Sequence, residues 1–336
     1  MSRVSGASKS AMNLATDRYH QAANKARLFA GLFCLSSLLL SACSDADEAP
    51  PAEPRLVPVV IGKLEDPKIR EASGLARSQK ASNVLWTIND NGAKEWVHAI
   101  APNGRRLGEF DLKKSDNKDW EDLASFVLSD RPYLLVADIG DNDARHKKRT
   151  LYVVEEPDVE KSGKARVAWR IDFRYPDGPR DAESAAVDIE NQRALILSKR
   201  DIPPVLYEVP LVPDDDKTVT ATWLGTIASL PRPSRQDVQF APKTKDWHWQ
   251  PVGMDISADH LAAVILTYRA VYYYTRQPDQ DWFDALNQKP GRVSIGNFRN
   301  AEAIAFANDK RSVVVTGENR HSRLLLINFD EDVAND

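Results

Sequence analysis

Two cysteines in 336 residues exclude a disulfide framework, and with only six scattered histidines no zinc-finger spacing is possible. A surplus of positive charge is also missing. The formal net charge is −4, so the basic footprint of a nucleic-acid binder is absent and no nucleic-acid partner is expected. The apolar run at 28–40 (LFAGLFCLSSLLL) is 13 residues long, too short to span a bilayer as a helix. There is no Gly-x-Ser-x-Gly elbow, no P-loop and no His-Glu-x-x-His, which removes support for serine-nucleophile hydrolysis and nucleotide chemistry. What remains is a chain with 42% hydrophobic and 28% charged residues, enough apolar material for a large core.

The N-terminus reads as a targeting device. Lys25 and Arg27 precede the 13-residue run, and Leu40-Ser41-Ala42-Cys43 follows it. This pattern resembles the lipobox of bacterial lipoproteins, with residues 1–42 as signal peptide and Cys43 as the lipidated, palmitate-carrying residue. The alternative is an ordinary signal peptide cut elsewhere. Ser44 after the cysteine implies, by the same resemblance, sorting to the outer membrane with the protein facing the periplasm. The long stretch before Arg27 makes Met12 an alternative start. Residues 43–56 are acidic and proline-rich and read as an extended tether. Cys34 leaves with the signal and Cys43 carries lipid, so the domain from residue 57 to 336 has no disulfide and depends on its core.

Within that domain the chain repeats. Four apolar strands begin beside an acid: REASGLA at Arg70, DWEDLAS at Asp119, RDAESAAVD at Arg180 and NAEAIAF at Asn300. Each is followed by a second and a third hydrophobic run. A weaker copy, PVGMDIS, LAAVILTYR and AVYYYTR, precedes the last. From Glu71 to Glu121 is 50 residues, to Glu183 a further 62, and to Glu302 another 119, about two repeats. Units of this length with three or four strands fit the blades of a β-propeller. The last unit lacks a fourth strand, which VPVVIGK at Val57–Lys63 can supply, closing a ring without an exposed edge. The expectation is an all-β, five-bladed propeller over 57–334, with a sandwich or solenoid as the other architecture and a sixth blade at 231–250 as the open point. DQDWFDAL, at 279–286, has helical spacing.

In a propeller the entries to first strands and the exits of second strands share one face. Glu71, Glu121, Glu183 and Glu302 would then meet Asp90, Asp138, Asp141, Asn142, Lys199, Arg200, Tyr268, Arg269 and Glu318 at a channel mouth. Oxygen-rich clusters suit Ca²⁺ or another divalent ion, assigned here to Glu71, Glu121, Asp138 and Glu302. Asp90, Asp141, Asn142, Glu183, Lys199, Arg269 and Glu318 would bind a ligand, the cations taking its anionic group. A structural ion-pair network built from the same residues is equally open. So is the reading of DIGDN (138–142) as an Asx-type turn rather than a cation-binding loop. Trp247-His248-Trp249 and the Tyr272–Tyr274 run read as packing, the 145–149 basic run as a solvated loop, and His98 as structural.

Taken together, EASGL, DWEDLA, DIGDN and AEAIAF resemble a group of exported bacterial β-propeller lipoproteins of uncharacterised function. More distantly they are similar to calcium-dependent propeller phytases and gluconolactonase-type propellers, whose channel-mouth carboxylates hold a divalent metal. That resemblance implies that Glu71, Glu121 and Glu302 share one strand-head position. Gly253, with Asp255 two residues later, stands where a fourth-blade acid would be. Function is expected to be binding of a divalent metal, small anionic ligand or periplasmic protein by a membrane-anchored module. A metal-dependent hydrolase of phosphoesters or lactones is the alternative.

Overall fold

The computed structural model describes residues 56–160, 163–213, 217–232, 234–240, 247–307 and 311–329. The segment expected to be a signal peptide, Cys43 and nearly all of the expected tether therefore lie outside the described residues. The chain is all-β, with two short helices among the described residues, neither of them long and apolar enough to cross a membrane.

After β1 (Val59–Lys63), the strands fall into five antiparallel units. The first contains β2 (Ala72–Arg77), β3 (Leu85–Asn89), β4 (Trp96–Ile100) and β5 (Arg106–Lys113). The second contains β6 (Trp120–Leu128), β7 (Arg131–Asp138), β8 (Arg149–Glu155) and β9 (Gly163–Arg174). The third contains β10 (Ala182–Asp188), β11 (Arg193–Ser198) and β12 (Val205–Pro210), then the two-residue β13 (Val219–Thr220) and β14 (Thr222–Thr226). Helix α1 (Arg235–Phe240) precedes the fourth unit, β15 (Pro251–Ile256), β16 (Ala262–Thr267) and β17 (Ala270–Thr275); α2 (Trp282–Leu286) then leads to β18 (Gly291–Ser294). The fifth comprises β19 (Ala301–Phe306), β20 (Ser312–Gly317) and β21 (Arg323–Asn328), with β1 pairing antiparallel to β21 as its fourth strand.

First strands use small residues (ASGLAR, AESAAVD, AEAIAF), which allow close lateral approach. β2, β10, β15 and β19 are buried at every residue. Second strands carry branched residues (RALILS, AAVILT, SVVVTG), and outer strands alternate between buried and exposed, as in β5. β2 packs beside β6, β6 beside β10, β10 beside β15, β15 beside β19, and β19 beside β2. Each of five apolar layers lies between two successive units. The layer joining last to first contains Ile69, Leu75 and Leu85 with Ala303, Val314 and Leu324.

An additional feature of the outer edge is that β5 and β9 pair in parallel, Phe110 with Gly163 through Lys113 with Arg166, joining the first two units into one sheet. The cause is length. β9 has 12 residues, and its N-terminal end runs past β8 to reach β5, while β13 pairs with its other end at Phe173 and Arg174. Both pairings cover an otherwise open edge. The 279–286 run forms α2, capped by Asp281, whose Oδ1 accepts from Phe283 N at 2.8 Å. The described part of 231–250 holds α1 and no strand. In the basic run, Arg149 is buried against Asp138 rather than solvated.

First strands have no partner strand on their inner edge, so their inward N–H groups need other acceptors. Asp122, fully buried, supplies one. Its Oδ2 accepts from Ala185 N at 2.8 Å and Met254 N at 3.1 Å, and its Oδ1 from Leu123 N at 2.8 Å, tying β6 to β10 and β15. Asp255 does the same further round. It accepts from Phe306 N at 2.9 Å and Ile256 N at 2.8 Å, with Arg77 3.7 Å away. Asp255 is thus a structural acceptor of the inner strands. Gly74 occupies the register position of Asp122, where a Cβ would stand 2.6 Å from Leu123 N, so β2 approaches β6 too closely for a side chain.

Candidate metal centre

All five first strands carry a β-bulge at their second residue. Ala72 pairs with Asn89 and Gly74 with Ile88, leaving Ser73 as the extra residue. The same count leaves Glu121, Glu183, Val252 and Glu302 in the other units. A bulge re-aims the inserted side chain, and here the sequence places a carboxylate at three of the five positions.

The register corrects one expected equivalence. Glu71 does not share the position of Glu121 and Glu302; Ser73 does, and its hydroxyl donates to Trp120 O at 2.8 Å. Glu71 corresponds instead to Asp119, Asp181, Gln250 and Asn300, is exposed, and bridges to Glu318 through its backbone. Its charge adds negative field at Asp90. In the fourth unit the bulge residue is Val252, so Gly253 is not the site of a missing acid.

Asp90, Asp119 and Glu121 each offer a carboxylate oxygen, all within 4.8 Å of one another. Burial raises Asp119 above the usual carboxylate range, opposed by Arg149 and reinforced by the charges of Asp181 and Asp141. Burial pushes Asp90 up to about 7, reinforced by the charges of Asp119, Glu318 and Glu71. Burial raises Glu121 well above the usual carboxylate range, with Glu183, Asp90 and Asp119 adding to the effect. Gly140 makes room for the pair. A Cβ there would lie 2.1 Å from Glu121 Oε1 and 2.6 Å from Asp119 Oδ2.

Across from this trio, Lys199 donates to Glu183 and lies 5.5 Å from the Tyr268 ring. Burial pushes Glu183 up to about 7 despite Lys199. Burial, followed by the charges of Glu183 and Glu318, raises Glu302 well above normal. The charge of Lys199 bears on Glu121, Glu183 and Glu302 together.

The DIGDN loop contributes space rather than oxygens. Asp138 accepts from Asp119 N at 3.0 Å and Arg149 Nη2 at 3.3 Å, supporting Asp119 from behind, and burial brings it to about 6. Asp141 accepts from Arg145 N, His146 N and His146 Nδ1 at 2.7–3.0 Å, the Asx-type capping role. Burial works to raise its pKa, but these bonds bring it below normal. Asn142 accepts from Arg200, whose Nε also holds Asp181 at 2.7 Å. Arg269 Nη1 donates to Gly296 O at 2.9 Å, so that guanidinium nitrogen is directed to the loop after β18.

No family model matches the chain, and no curated protein matches it either.

Of the residues expected at the mouth, Asp90, Glu121, Glu183, Lys199, Glu302 and Glu318 form one interacting group. Asp119 was missed as a ligand candidate, because the bulge that turns Glu121 toward it is not visible in DWED. Tyr268 was counted at the mouth but given no role, and Gly140 could be found only through the atoms it leaves room for.

Proposed function

We propose that the five units form a five-bladed β-propeller closed by β1, and that its acidic mouth binds a divalent cation at Asp90, Asp119 and Glu121. The cyclic packing of the five first strands and the layers between units support the propeller. The observation that carries the cation site is the Gly140 cradle, which sets Glu121 and Asp119 side by side near Asp90 with no cation paired to Glu121 by a direct bond among the described residues. Three carboxylates suit a hard, oxygen-seeking ion such as Ca²⁺, with Glu183, Glu302 and Lys199 lining the opposite side for a second, anionic ligand. On this reading the protein is a binding module. Glu183, at about 7, also suits a proton-transferring group, which favours phosphoester or lactone hydrolysis as the second reading.

The test is a thermal-shift titration of chelated protein with Ca²⁺, Mg²⁺ and Mn²⁺. A concentration-dependent rise is expected for wild type, reaching about 2.7 kcal/mol of added stability at 100 times Kd. Glu121→Gln and Gly140→Ala should fold and lose the response; retention in both would remove the site.

The resemblance to exported propeller lipoproteins, together with the lipobox-like Leu40-Ser41-Ala42-Cys43, supports attachment to the periplasmic side of the outer membrane through Cys43. Cys43→Ser is expected to move the protein from the membrane pellet to the soluble fraction. A variant that stays in the pellet after carbonate washing would end the lipoprotein assignment.

A further inference from the structure

A second cluster stands apart from the mouth residues, on the first unit. His98 on β4 lies directly opposite Glu109 on β5, and Asp66 reaches them from the loop after β1. One ligand atom from each of the three residues lies within 4.8 Å of the other two. His98 is 1% exposed, and neither ring nitrogen has a hydrogen-bond partner among the described residues. Its Nδ1 faces Asp66 Oδ2 at 3.8 Å, beyond hydrogen-bond length. A buried imidazole without a hydrogen-bond partner among the described residues, directed at two carboxylates, is costly as a packing residue. It is also the donor set of a zinc ion.

We infer that Asp66, His98 and Glu109 bind a transition-metal ion of the zinc type. Imidazole and carboxylate donors suit zinc, and three protein ligands leave its fourth position for water. With metal–ligand bonds near 2 Å, tetrahedral ligand atoms lie about 3.3 Å apart, so the three residues need only contract slightly. Two cations now occupy the carboxylates. Lys68 Nζ donates to Glu109 at 2.6 and 2.7 Å, and Arg106 Nε pairs with Asp66 Oδ2 at 2.9 Å. Their side chains are 45% and 49% exposed, so both heads can swing into solvent when a metal displaces them. Asp66 Oδ1 accepts from Lys68 N at 2.9 Å, which holds that carboxylate in place as an outer bond would hold a ligand. This site uses nitrogen as well as oxygen, and it does not depend on the proposed Ca²⁺-type centre.

The experiment is zinc binding to the purified protein, stripped with chelator and titrated in competition with a chromophoric chelator. X-ray absorption at the zinc edge is recorded on the loaded sample. Wild type should bind one Zn²⁺ more than Glu109→Gln does, with an absorption spectrum containing one imidazole nitrogen and oxygen donors. Glu109→Gln and His98→Gln should each weaken this ion at least about tenfold, a loss of about 1.4 kcal/mol. Glu121→Gln should leave it unchanged, which separates this result from the fate of the mouth site. Glu109 is partly exposed, so its variant decides the matter if His98→Gln does not fold. Zinc affinity equal to wild type in Glu109→Gln, no zinc bound by wild type, or a spectrum without imidazole would each overturn the inference.

Discussion

Asp122→Ala is expected to destabilise the protein by about 3–5 kcal/mol, the lower part of the range for leaving three buried N–H groups without an acceptor. The reason is how many backbone groups depend on one carboxylate. Ala185 N, Met254 N and Leu123 N all donate to it, and the first two belong to strands with no other partner on their inner edge. Leaving a buried N–H without an acceptor costs about 1–3 kcal/mol, and alanine leaves three. Burial pushes the Asp122 pKa well up while the three N–H bonds pull it down, so the carboxylate's value lies in its acceptor geometry. Asp122→Asn keeps one acceptor oxygen and should cost less than half as much. Chemical denaturation of the three proteins, with equal slopes, measures both numbers. A loss below about 1 kcal/mol for Asp122→Ala would mean that water replaces the carboxylate and that the inner strands do not need it.

Most strands were legible in the chain because each unit declares itself by apolar runs between turns, and the missing last strand by the unpaired run before the first unit; β13 and the parallel pairing of β5 with β9 were not. The site was legible only in part, and the reasons are physical. REASGLA was aligned with DWEDLAS by its acid, which equates Glu71 with Glu121. Alignment by the apolar residues instead sets Gly74-Leu75-Ala76 against Asp122-Leu123-Ala124 and places Ser73 at the bulge, as the register does. An acid and an apolar run both look like strand heads, but only the buried run is constrained by packing. Asp122 carries no signal of its role in the sequence because its partners lie 63 and 132 residues along the chain. His98 looked structural for the same reason, since Asp66 and Glu109 approach it from a loop and a neighbouring strand. DIGDN promised oxygens by composition. Its acids were taken by Arg149 and by the loop's own N–H groups, and its glycine proved to be the residue that shapes the site.

Without divalent cations, the protein is expected to be most stable between about pH 4 and 5 and to lose stability as pH rises to 7, the reverse of the usual trend. Asp90 and Glu183 are raised to about 7 from 3.8 and 4.5, and Glu121 and Glu302 are raised as well. In that window the folded state holds more protons than the unfolded chain, so unfolding becomes easier with each step up in pH. The stability they contribute is complete below the unfolded values and lost as pH passes the folded ones. Glu183, buried beside Lys199, contributes in this same sense. Asp141 and Asp172, which burial works to raise but accepted hydrogen bonds bring below normal, act in the opposite sense at acid pH. Saturating Ca²⁺ supplies the positive charge that protons supply in its absence, so the decline between pH 5 and 7 should flatten. Apparent affinity should fall as pH drops below about 7, where Asp90 must release its proton to bind. Glu121→Gln, which removes one repelling charge, should flatten the cation-free profile in part and make it indifferent to Ca²⁺. Melting temperature across pH 4–8, with and without Ca²⁺, tests all of this. A cation-free protein that gains stability from pH 5 to 7 would show that the mouth carboxylates are ionised and paired, and would leave a cation nothing to neutralise.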